Sequence, residues 1–342
     1  MPSSRRFLIA LTGGVILLGL AAPAEAAFPG QNGRIAFESG RDGNPEIFAM
    51  KRDGSAQTNL TNNPDPDFLP SYSPDGRRIA FSRYSVADDN VDLYVMDADG
   101  SDQRRITFNE QVDVDPAWSA DGKRLVFVRE PLPESEQGPP PPPDLWIVDL
   151  KDGEERNLTN SPATPDFEPQ WSPDGARIAF NSDASEPDNI DVYTIRPNGR
   201  GLRRLTSEPG FDGGPNYSPD GRLIAFDSER TGNPDVFVMR ANGARPTQLT
   251  EDPGVDILSA YSPDGRFIAF TSDRDGDQIP DAPPGQLFPD IFRMRADGSK
   301  ETNLTNSPTI FEANPDWQPD DDHHHHHHHD HDHDHDEEEG DD

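Results

Sequence analysis

Short stretches in which apolar and polar residues alternate recur along the chain and predict β-strands. Asp92–Met96 and Asp235–Met239 are clear examples, and each follows a more continuously apolar stretch such as Arg78–Phe81 or Leu223–Phe226. The chain has 342 residues, of which 36 are Pro and 28 are Gly. Because these residues interrupt helices and favour turns, the composition supports an all-β fold.

A turn motif, aromatic-Ser-Pro-Asp-Gly, divides the strands into units of about 45 residues. It occurs at Tyr72–Gly76, Trp171–Gly175, Tyr217–Gly221 and Tyr261–Gly265, with an Ala variant at Trp118–Gly122 and a truncated copy at Trp317–Asp320. Pro presets φ and Gly accepts a positive φ, so the motif predicts a hairpin. Two units are lengthened by insertions, at Pro131–Pro143 and Asp273–Pro289.

Each unit contains four short strands, and the outermost strand ends in Leu-Thr or Ile-Thr, as at Leu60-Thr61. This organisation is typical of β-propeller blades. The first unit lacks its first strand and begins at Gly33–Phe37, whereas Asn314–Trp317 forms a first strand with no blade after it. The sequence therefore predicts an all-β, six-bladed propeller of four-stranded blades, closed by pairing of its N- and C-terminal strands.

The repeated motifs resemble those of the TolB-like β-propeller repeat family, over about Phe28 to Pro319. The resemblance implies a bacterial protein of the periplasm or the medium, with a protein-interaction role. The best-known member of the family has an α/β domain before its propeller, whereas a short leader precedes the propeller here.

Residues 1–26 are predicted to be a signal peptide. Arg5 and Arg6 form a basic start, Phe7–Ala22 is apolar, and Ala24–Ala26 offers a cleavage site after Ala26. The alternative is a membrane anchor, for which the apolar stretch is short. We expect an exported protein with no membrane span after cleavage and a propeller domain over residues 27–319.

The formal net charge is -34, from 64 acidic and 30 basic residues. This excess excludes nucleic acid as an expected partner and favours a basic protein or peptide, or divalent cations. The alternative is that the charge serves solubility alone. We expect a monomer.

One carboxylate lies near the start of every predicted first strand. These residues are Asp67, Asp113, Asp166, Asp212, Asp256 and Glu312. In a six-bladed arrangement they form an acidic ring at one mouth of the channel, and Asp115 and Glu168 add charge on one side. The ring attracts cations or a partner's basic side chains. The alternative is structural, with each carboxylate accepting hydrogen bonds from its own blade.

The second insertion carries alternating acidic residues that suit calcium. Asp273, Asp275, Asp277 and Asp281 supply side-chain oxygens, and Ile279 supplies a carbonyl oxygen. The pattern departs from an EF-hand in the position of its Gly and lacks the final Glu. The alternative is a solvated acidic loop.

The tail, residues 320–342, is rich in His, Asp and Glu, and we expect it to be disordered. It holds all ten histidines of the chain: His323, His324, His325, His326, His327, His328, His329, His331, His333 and His335. Imidazoles beside carboxylates suit zinc or nickel. The alternative is a purification tag.

The residues before the tail contain neither His nor Cys, so nucleophilic schemes that depend on an imidazole or a thiol are excluded there. We therefore expect no catalysis and no required cofactor. The predicted function is an exported protein-binding or scaffold module. Two alternatives stay open: divalent-metal binding through the tail, and a carbohydrate-active enzyme that uses a pair of carboxylates.

Overall fold

The computed structural model describes residues 27–132, 140–186, 189–274, 288–307 and 309–320. These residues form 24 β-strands in six four-stranded antiparallel sheets and contain no α-helix. The predicted all-β, six-bladed propeller is confirmed.

Five blades are continuous in sequence, and each uses its first strand innermost. Blade 1 contains β4 (Asp67–Tyr72), β5 (Arg78–Ser85), β6 (Asn90–Asp97) and β7 (Arg104–Arg105). Blade 2 contains β8 (Val112–Trp118), β9 (Arg124–Glu130), β10 (Asp144–Asp149) and β11 (Glu155–Asn157). Blade 3 contains β12 (Asp166–Trp171), β13 (Ile178–Ser182), β14 (Asp191–Ile195) and β15 (Arg203–Arg204).

The remaining two continuous blades follow the same order. Blade 4 contains β16 (Asp212–Tyr217), β17 (Leu223–Ser228), β18 (Asp235–Arg240) and β19 (Thr247–Gln248). Blade 5 contains β20 (Asp256–Tyr261), β21 (Phe267–Ser272), β22 (Asp290–Arg295) and β23 (Thr302–Asn303).

Blade 6 is built from both parts of the chain. Its first strand is β24 (Glu312–Asp320), which pairs with β1 (Gln31–Ser39), followed by β2 (Glu46–Lys51) and β3 (Thr58–Asn59). Ile35 lies opposite Trp317 in this register. Each first strand also contacts the first strand of the next blade, and β24 contacts β4. The six blades therefore close into a ring.

The core lies between neighbouring blades. The aromatic residue at or near the end of each first strand is buried against the second and third strands of the preceding blade. Trp171 of blade 3, for example, packs with Val126 and Ile147 of blade 2. Tyr72 of blade 1 packs with Ala36 and Ile47 of blade 6. This interdigitation explains why every unit of the sequence carries an aromatic residue before its turn.

The Ser-Pro-Asp-Gly turns are held by their own side chains. In blade 1 the Ser73 hydroxyl donates to Asp75 Oδ1 at 2.6 Å and accepts the Arg78 N–H at 3.0 Å. Gly76 has a φ of 66°, and an added Cβ would lie 1.8 Å from the Pro319 carbonyl oxygen. Glycine is therefore required there by conformation and by close approach.

The Leu-Thr ending of each fourth strand also has a structural role. In blade 4 the Thr250 hydroxyl accepts the Val236 N–H at 3.0 Å and donates to Asp235 Oδ1 at 3.1 Å. Equivalent contacts join Thr to the acidic residue at or near the start of the third strand in the other blades. The pairs are Thr61–Glu46, Thr107–Asp92, Thr159–Asp144, Thr206–Asp191 and Thr305–Asp290. Each contact fixes the outer strand to the blade.

Two faces of the propeller follow from this antiparallel order. First strands start, second strands end, third strands start and fourth strands end on one face, which we call the loop face. The Ser-Pro-Asp-Gly turns lie on the opposite face, which we call the turn face. Both sequence insertions begin and end on the loop face.

Candidate functional site

The predicted acidic ring lies at the start of the innermost strands. Five members are the first residues of their strands and Asp113 is the second residue of β8. Since the first strands contact one another in a closed ring, the six carboxylates surround the channel on the loop face. All six are buried: Asp67, Asp113, Asp166, Asp212, Asp256 and Glu312.

In blades 1 and 2 an arginine directly opposite in the register neutralises the ring carboxylate. Arg83 donates from Nε to Asp67 Oδ1 at 2.6 Å and from Nη2 to Oδ2 at 2.8 Å. Arg129 binds Asp113 with the same two distances. Such bidentate pairs are strong and geometrically specific.

In blades 4, 5 and 6 the residue paired with the ring carboxylate is Ser. An arginine two residues after this Ser bonds to the ring carboxylate. Arg230 donates from Nη2 to both oxygens of Asp212, at 2.9 and 2.8 Å, and from Nε to Ser228 Oγ at 2.7 Å. Arg274 likewise bonds Ser272 and Asp256, and Arg41 bonds Ser39 and Glu312. Five ring carboxylates are thus paired with an arginine of their own blade, which supports the structural alternative for them.

The same arginines stack on two aromatic rings. The Arg230 guanidinium carbon lies 5.3 Å from the centroid of Phe226 and 5.0 Å from that of Phe237. Equivalent contacts hold Arg41, Arg83, Arg129 and Arg274. Each of the five sites is therefore a guanidinium socket, made of one carboxylate and two aromatic faces.

Blade 3 departs from this arrangement. Asp166 lies opposite Ser182, and the residue two further on is Ala184. Burial raises the pKa of Asp166 to about 6, opposed by hydrogen bonds from the hydroxyls of Ser182, Ser161 and Thr159. Among the described residues no ion pair involves Asp166, and its Oδ2 is buried without a hydrogen-bond partner.

Every first strand has a bulge near the second residue after the ring carboxylate. The residue two positions after the ring carboxylate has a left-handed φ in all six blades: Leu69 60°, Asp115 68°, Glu168 53°, Gly214 56°, Leu258 59° and Asn314 56°. The bulge turns the backbone N–H towards the preceding blade. Leu258 donates to Asp227 Oδ2 at 2.8 Å, and Asn314 donates to Thr271 Oγ1 at 3.2 Å.

The acceptor for this N–H normally follows the Phe of the second strand, as Glu38, Ser82, Asp227 and Thr271 do. Blade 2 has Val128 at that position, which offers no acceptor, and the Asp115 carboxylate accepts the Glu168 N–H in its place. Glu168 Oε2 in turn accepts the Gly214 N–H at 2.6 Å. The two additional acids noted in the sequence therefore link blades 2, 3 and 4.

Glu38, Asp115, Glu168 and Asp227, the axial carboxylates, are all buried and take part in no ion pair among the described residues. Burial raises the pKa of Glu38 to about 7. Burial also raises the pKa values of the other three well above their usual range, and the Glu168 charge raises that of Asp227 further. Within the described residues no group of three His, Cys, Asp or Glu side chains has a metal-binding geometry.

The loop face also carries exposed apolar residues that the sequence reasoning missed. Phe108 is 73% exposed and Val86 is 61% exposed. Phe108 follows the Thr of its repeat, where the other blades have polar residues: Asn62, Asn160, Ser207, Glu251 and Asn306. Alignment of the six repeats at this position distinguishes Phe108 from its polar counterparts by sequence alone. Arg105 joins the two loops, since it lies 3.6 Å from Asp88 and 5.2 Å from the Phe108 ring centroid.

Most of the predicted metal ligands lie outside the described residues. Asp273 is described, and its Oδ1 accepts the Val255 N–H at 2.6 Å. Asp275, Asp277, Ile279 and Asp281 lie outside, as do the ten tail histidines and the predicted signal peptide. These assignments stay predictions. No helix in the described part of the chain is long and apolar enough to cross a membrane.

Comparison with known proteins agrees with the propeller fold. A family model described as the TolB beta propeller domain matches residues 20–137. A TolB homolog of Chlorobium luteolum is 29% identical over 203 residues, which is 58% of this chain and 32% of that protein. The chain is similar to the TolB β-propeller family. The Tol-Pal system protein TolB of Bordetella pertussis is 32% identical over 134 residues, 27% of this chain and 30% of that protein.

Solved structures agree as to the fold of this TolB-like propeller. The crystal structure of TolB from Acinetobacter baumannii superimposes with a TM-score of 0.68 at 23% identity, over 84% of this chain and 67% of that one. At that identity the likeness concerns the fold alone. The matches span about a third of the length of the curated relatives.

Proposed function

We propose that this TolB-like propeller is an exported, non-catalytic protein-binding module that binds a basic protein or peptide with its loop face. The observation that carries the proposal is the exposed Phe108 on a face whose described arginines are already paired with carboxylates. Export rests on the leader sequence of residues 1–26.

The charge of the loop face favours a basic partner. The arginines that reach this face are each engaged by a carboxylate: Arg41, Arg83, Arg105, Arg129, Arg204, Arg230 and Arg274. Several acids of the connecting loops remain exposed: Asp42, Asp89, Glu110, Glu186, Glu208 and Glu251. The net effect is a negative surface, which steers and orients positively charged partners.

Phe108 and Val86 supply the apolar part of such an interface. Exposed aromatic residues that become buried on binding contribute a large share of interface energy, whereas surrounding charges set rate and orientation. The Arg105 side chain lies between the two loops and holds Asp88 near Phe108. The arrangement combines an apolar anchor with an acidic rim.

The names of the relatives fit this role. One curated relative is named a Tol-Pal system protein, which describes a component of a multi-protein system. The carbohydrate-active alternative has no comparable support, since five ring carboxylates are held by arginines and burial raises the pKa values of the axial carboxylates.

Matched variants of the two faces test the proposal. Phe108→Ser places on blade 1 the residue that blade 3 has at that position, Ser207, and Leu223→Ser removes an apolar side chain, 37% exposed, from the turn face. Tagged proteins would recover partners from envelope and medium fractions of producing cells, quantified by mass spectrometry. We expect a partner recovered by the wild type and the Leu223 variant but depleted with the Phe108 variant. Equal recovery by all three proteins would contradict the proposal.

A second candidate is the binding of divalent metal ions by the tail. Its support is the sequence itself, in which seven consecutive histidines continue into alternating His and Asp. Zinc and nickel are the ions that such ligands prefer.

A further inference from the structure

Within the described residues, blade 3 is the single blade whose guanidinium socket has no arginine of its own. In blades 4 and 6 the sequence after the second-strand Ser is x-Arg, which supplies Arg230 and Arg41, and blade 5 supplies Arg274 in the same way. Blade 3 has Ser182-Asp183-Ala184 there. Because Ala184 is exposed and lies in the loop after β13, the difference is located on the loop face.

The other parts of the socket are present in blade 3. Asp166 occupies the position of Asp212 and is 2% exposed. Phe180 and Tyr193 occupy the positions of Phe226 and Phe237, with ring centroids 5.9 Å apart, against 5.8 Å in blade 4. The carboxylate and both aromatic walls are thus retained where the cation is not.

Asp166 is only partly compensated within its own chain. Hydroxyl groups of Ser182, Ser161 and Thr159 bond it, but Oδ2 is buried with no hydrogen-bond partner. The charged group that affects the pKa of Asp166 is Asp144, whose negative charge raises it further. A buried carboxylate that lacks a cation is costly, and a partner that supplies one relieves that cost.

The fourth strand of blade 3 also lacks a residue that accepts a hydrogen bond from an arginine. In four other blades a residue three positions before the Leu or Ile of the fourth strand accepts from the arginine: Gln57, Gln103, Glu155 and Glu301. Blade 3 has Leu202 at this position, and its side chain is 54% exposed. Leu202 therefore offers no acceptor for an arginine at this position, and its own side chain faces solvent.

We propose that Asp166, Phe180 and Tyr193 form a socket for an arginine side chain supplied by the binding partner. The inference deepens the proposed function and rests on it for its biological meaning. A guanidinium fits better than an ammonium or a metal ion, because it is planar, donates to both carboxylate oxygens and stacks on aromatic rings. The five sockets of the other blades bind this same group in this same way.

Restoring the missing side chain within the chain is the first test. Ala184→Arg gives blade 3 the Ser-x-Arg sequence of blade 4, and Ala184→Leu is the matched control that adds bulk without charge. We expect the arginine variant to unfold at a temperature several degrees higher than the wild type, and the leucine variant to show no gain. An arginine variant no more stable than the leucine variant would overturn the proposal.

The second test uses a defined probe, acetyl-Gly-Arg-Gly-amide, with acetyl-Gly-Lys-Gly-amide for comparison, in calorimetric titrations of the full chain. We expect one site for the arginine peptide, weakened about tenfold or more in Ala184→Arg and Asp166→Asn. Arg230→Ala recreates the blade 3 arrangement in blade 4, so it should bind two arginine peptides. Circular dichroism would verify that each variant is folded.

Three results would overturn the socket: no arginine-peptide binding, equal binding of the lysine peptide, or binding unchanged by Ala184→Arg. These results are separable from failure of the proposed function. If a partner depends on Phe108 but not on residue 184, the loop face binds proteins and the socket does not take part.

Discussion

The Asp316 carboxylate, in the last strand of the chain, accepts the backbone N–H of Tyr72 in the first complete blade at 2.6 Å. This contact joins blade 6 to blade 1 and lies beside the pairing of β24 with β1. The propeller ring is therefore closed twice, once within the shared blade and once between that blade and the next.

Removing the closing strand should unfold the protein. A chain that ends at Thr305 loses β24 and with it the buried Trp317 and Asp316. Loss of one buried Trp costs about 3–5 kcal/mol, comparable to the whole stability of many domains. We expect thermal unfolding, followed by circular dichroism, to lose its cooperative transition.

The control for this truncation is a chain that ends at Asp320, which keeps all of β24. We expect its unfolding midpoint to match that of the full chain. If the chain ending at Thr305 unfolded at the same temperature as this control, closure by β24 would not stabilise the propeller.

Stability should fall as the pH rises from acid to neutral. Glu38 has a folded-state pKa of about 7, raised from 4.5 by burial, so folding favours its protonated form. Its contribution is full below about pH 4.5 and is lost as the pH rises through 7, which amounts to about 3 kcal/mol. Burial raises the pKa of Asp316 to about 8, and this acts in the same direction.

Chemical denaturation at pH 5 and pH 8 measures this effect. Glu38→Gln keeps an acceptor for the Leu69 N–H but cannot ionise, so its free energy of unfolding should fall less with pH than that of the wild type. Asp99→Asn, at an exposed turn, should follow the wild type. A Glu38→Gln profile parallel to the wild type would show that Glu38 is not the titrating group.

The fold was predictable because each blade repeats the same local chemistry. The Ser73 turn, the Thr250 contact and the aromatic Trp171 each recur at recognisable sequence positions, and this recurrence supports each assignment. The complementary ends at Gly33 and Trp317 then fixed the number of blades.

The site was less predictable, because its properties arise from differences between blades. The acidic ring was found from its spacing, but its arginine partners come from two different sequence positions, represented by Arg83 and Arg230. Ala184 stands where blades 4, 5 and 6 have an arginine, but the meaning of this difference emerges only when the carboxylate and aromatic positions are aligned in space. The role of Asp115 depends on Val128, and nothing local in the sequence joins the two.

Calcium binding by the second insertion is tested by calorimetric titration. We expect heat from the wild type and none from a variant with Asp275→Ala and Asp277→Ala, because these side chains supply carboxylate oxygens at alternating positions. The matched control changes Asp97 and Asp99, an Asp-x-Asp pair in the blade 1 turn, to Ala. Equal heats from the wild type and both variants would end the calcium hypothesis.

Zinc binding should depend on the tail. The full chain contains ten histidines and a chain ending at Asp320 contains none, so we expect zinc titration to show tight binding only for the full chain. Tight binding retained by the shorter chain would exclude the tail as the site.

Photo-crosslinking from the two faces tests the central claim, that the loop face binds a protein. A photoreactive amino acid would replace Phe108 on the loop face or Leu223 on the turn face, and the full chain would be irradiated in the cells that produce it. We expect a discrete adduct with one basic protein from position 108 and none from position 223. Adducts from position 223 alone, or from neither position, would contradict the account.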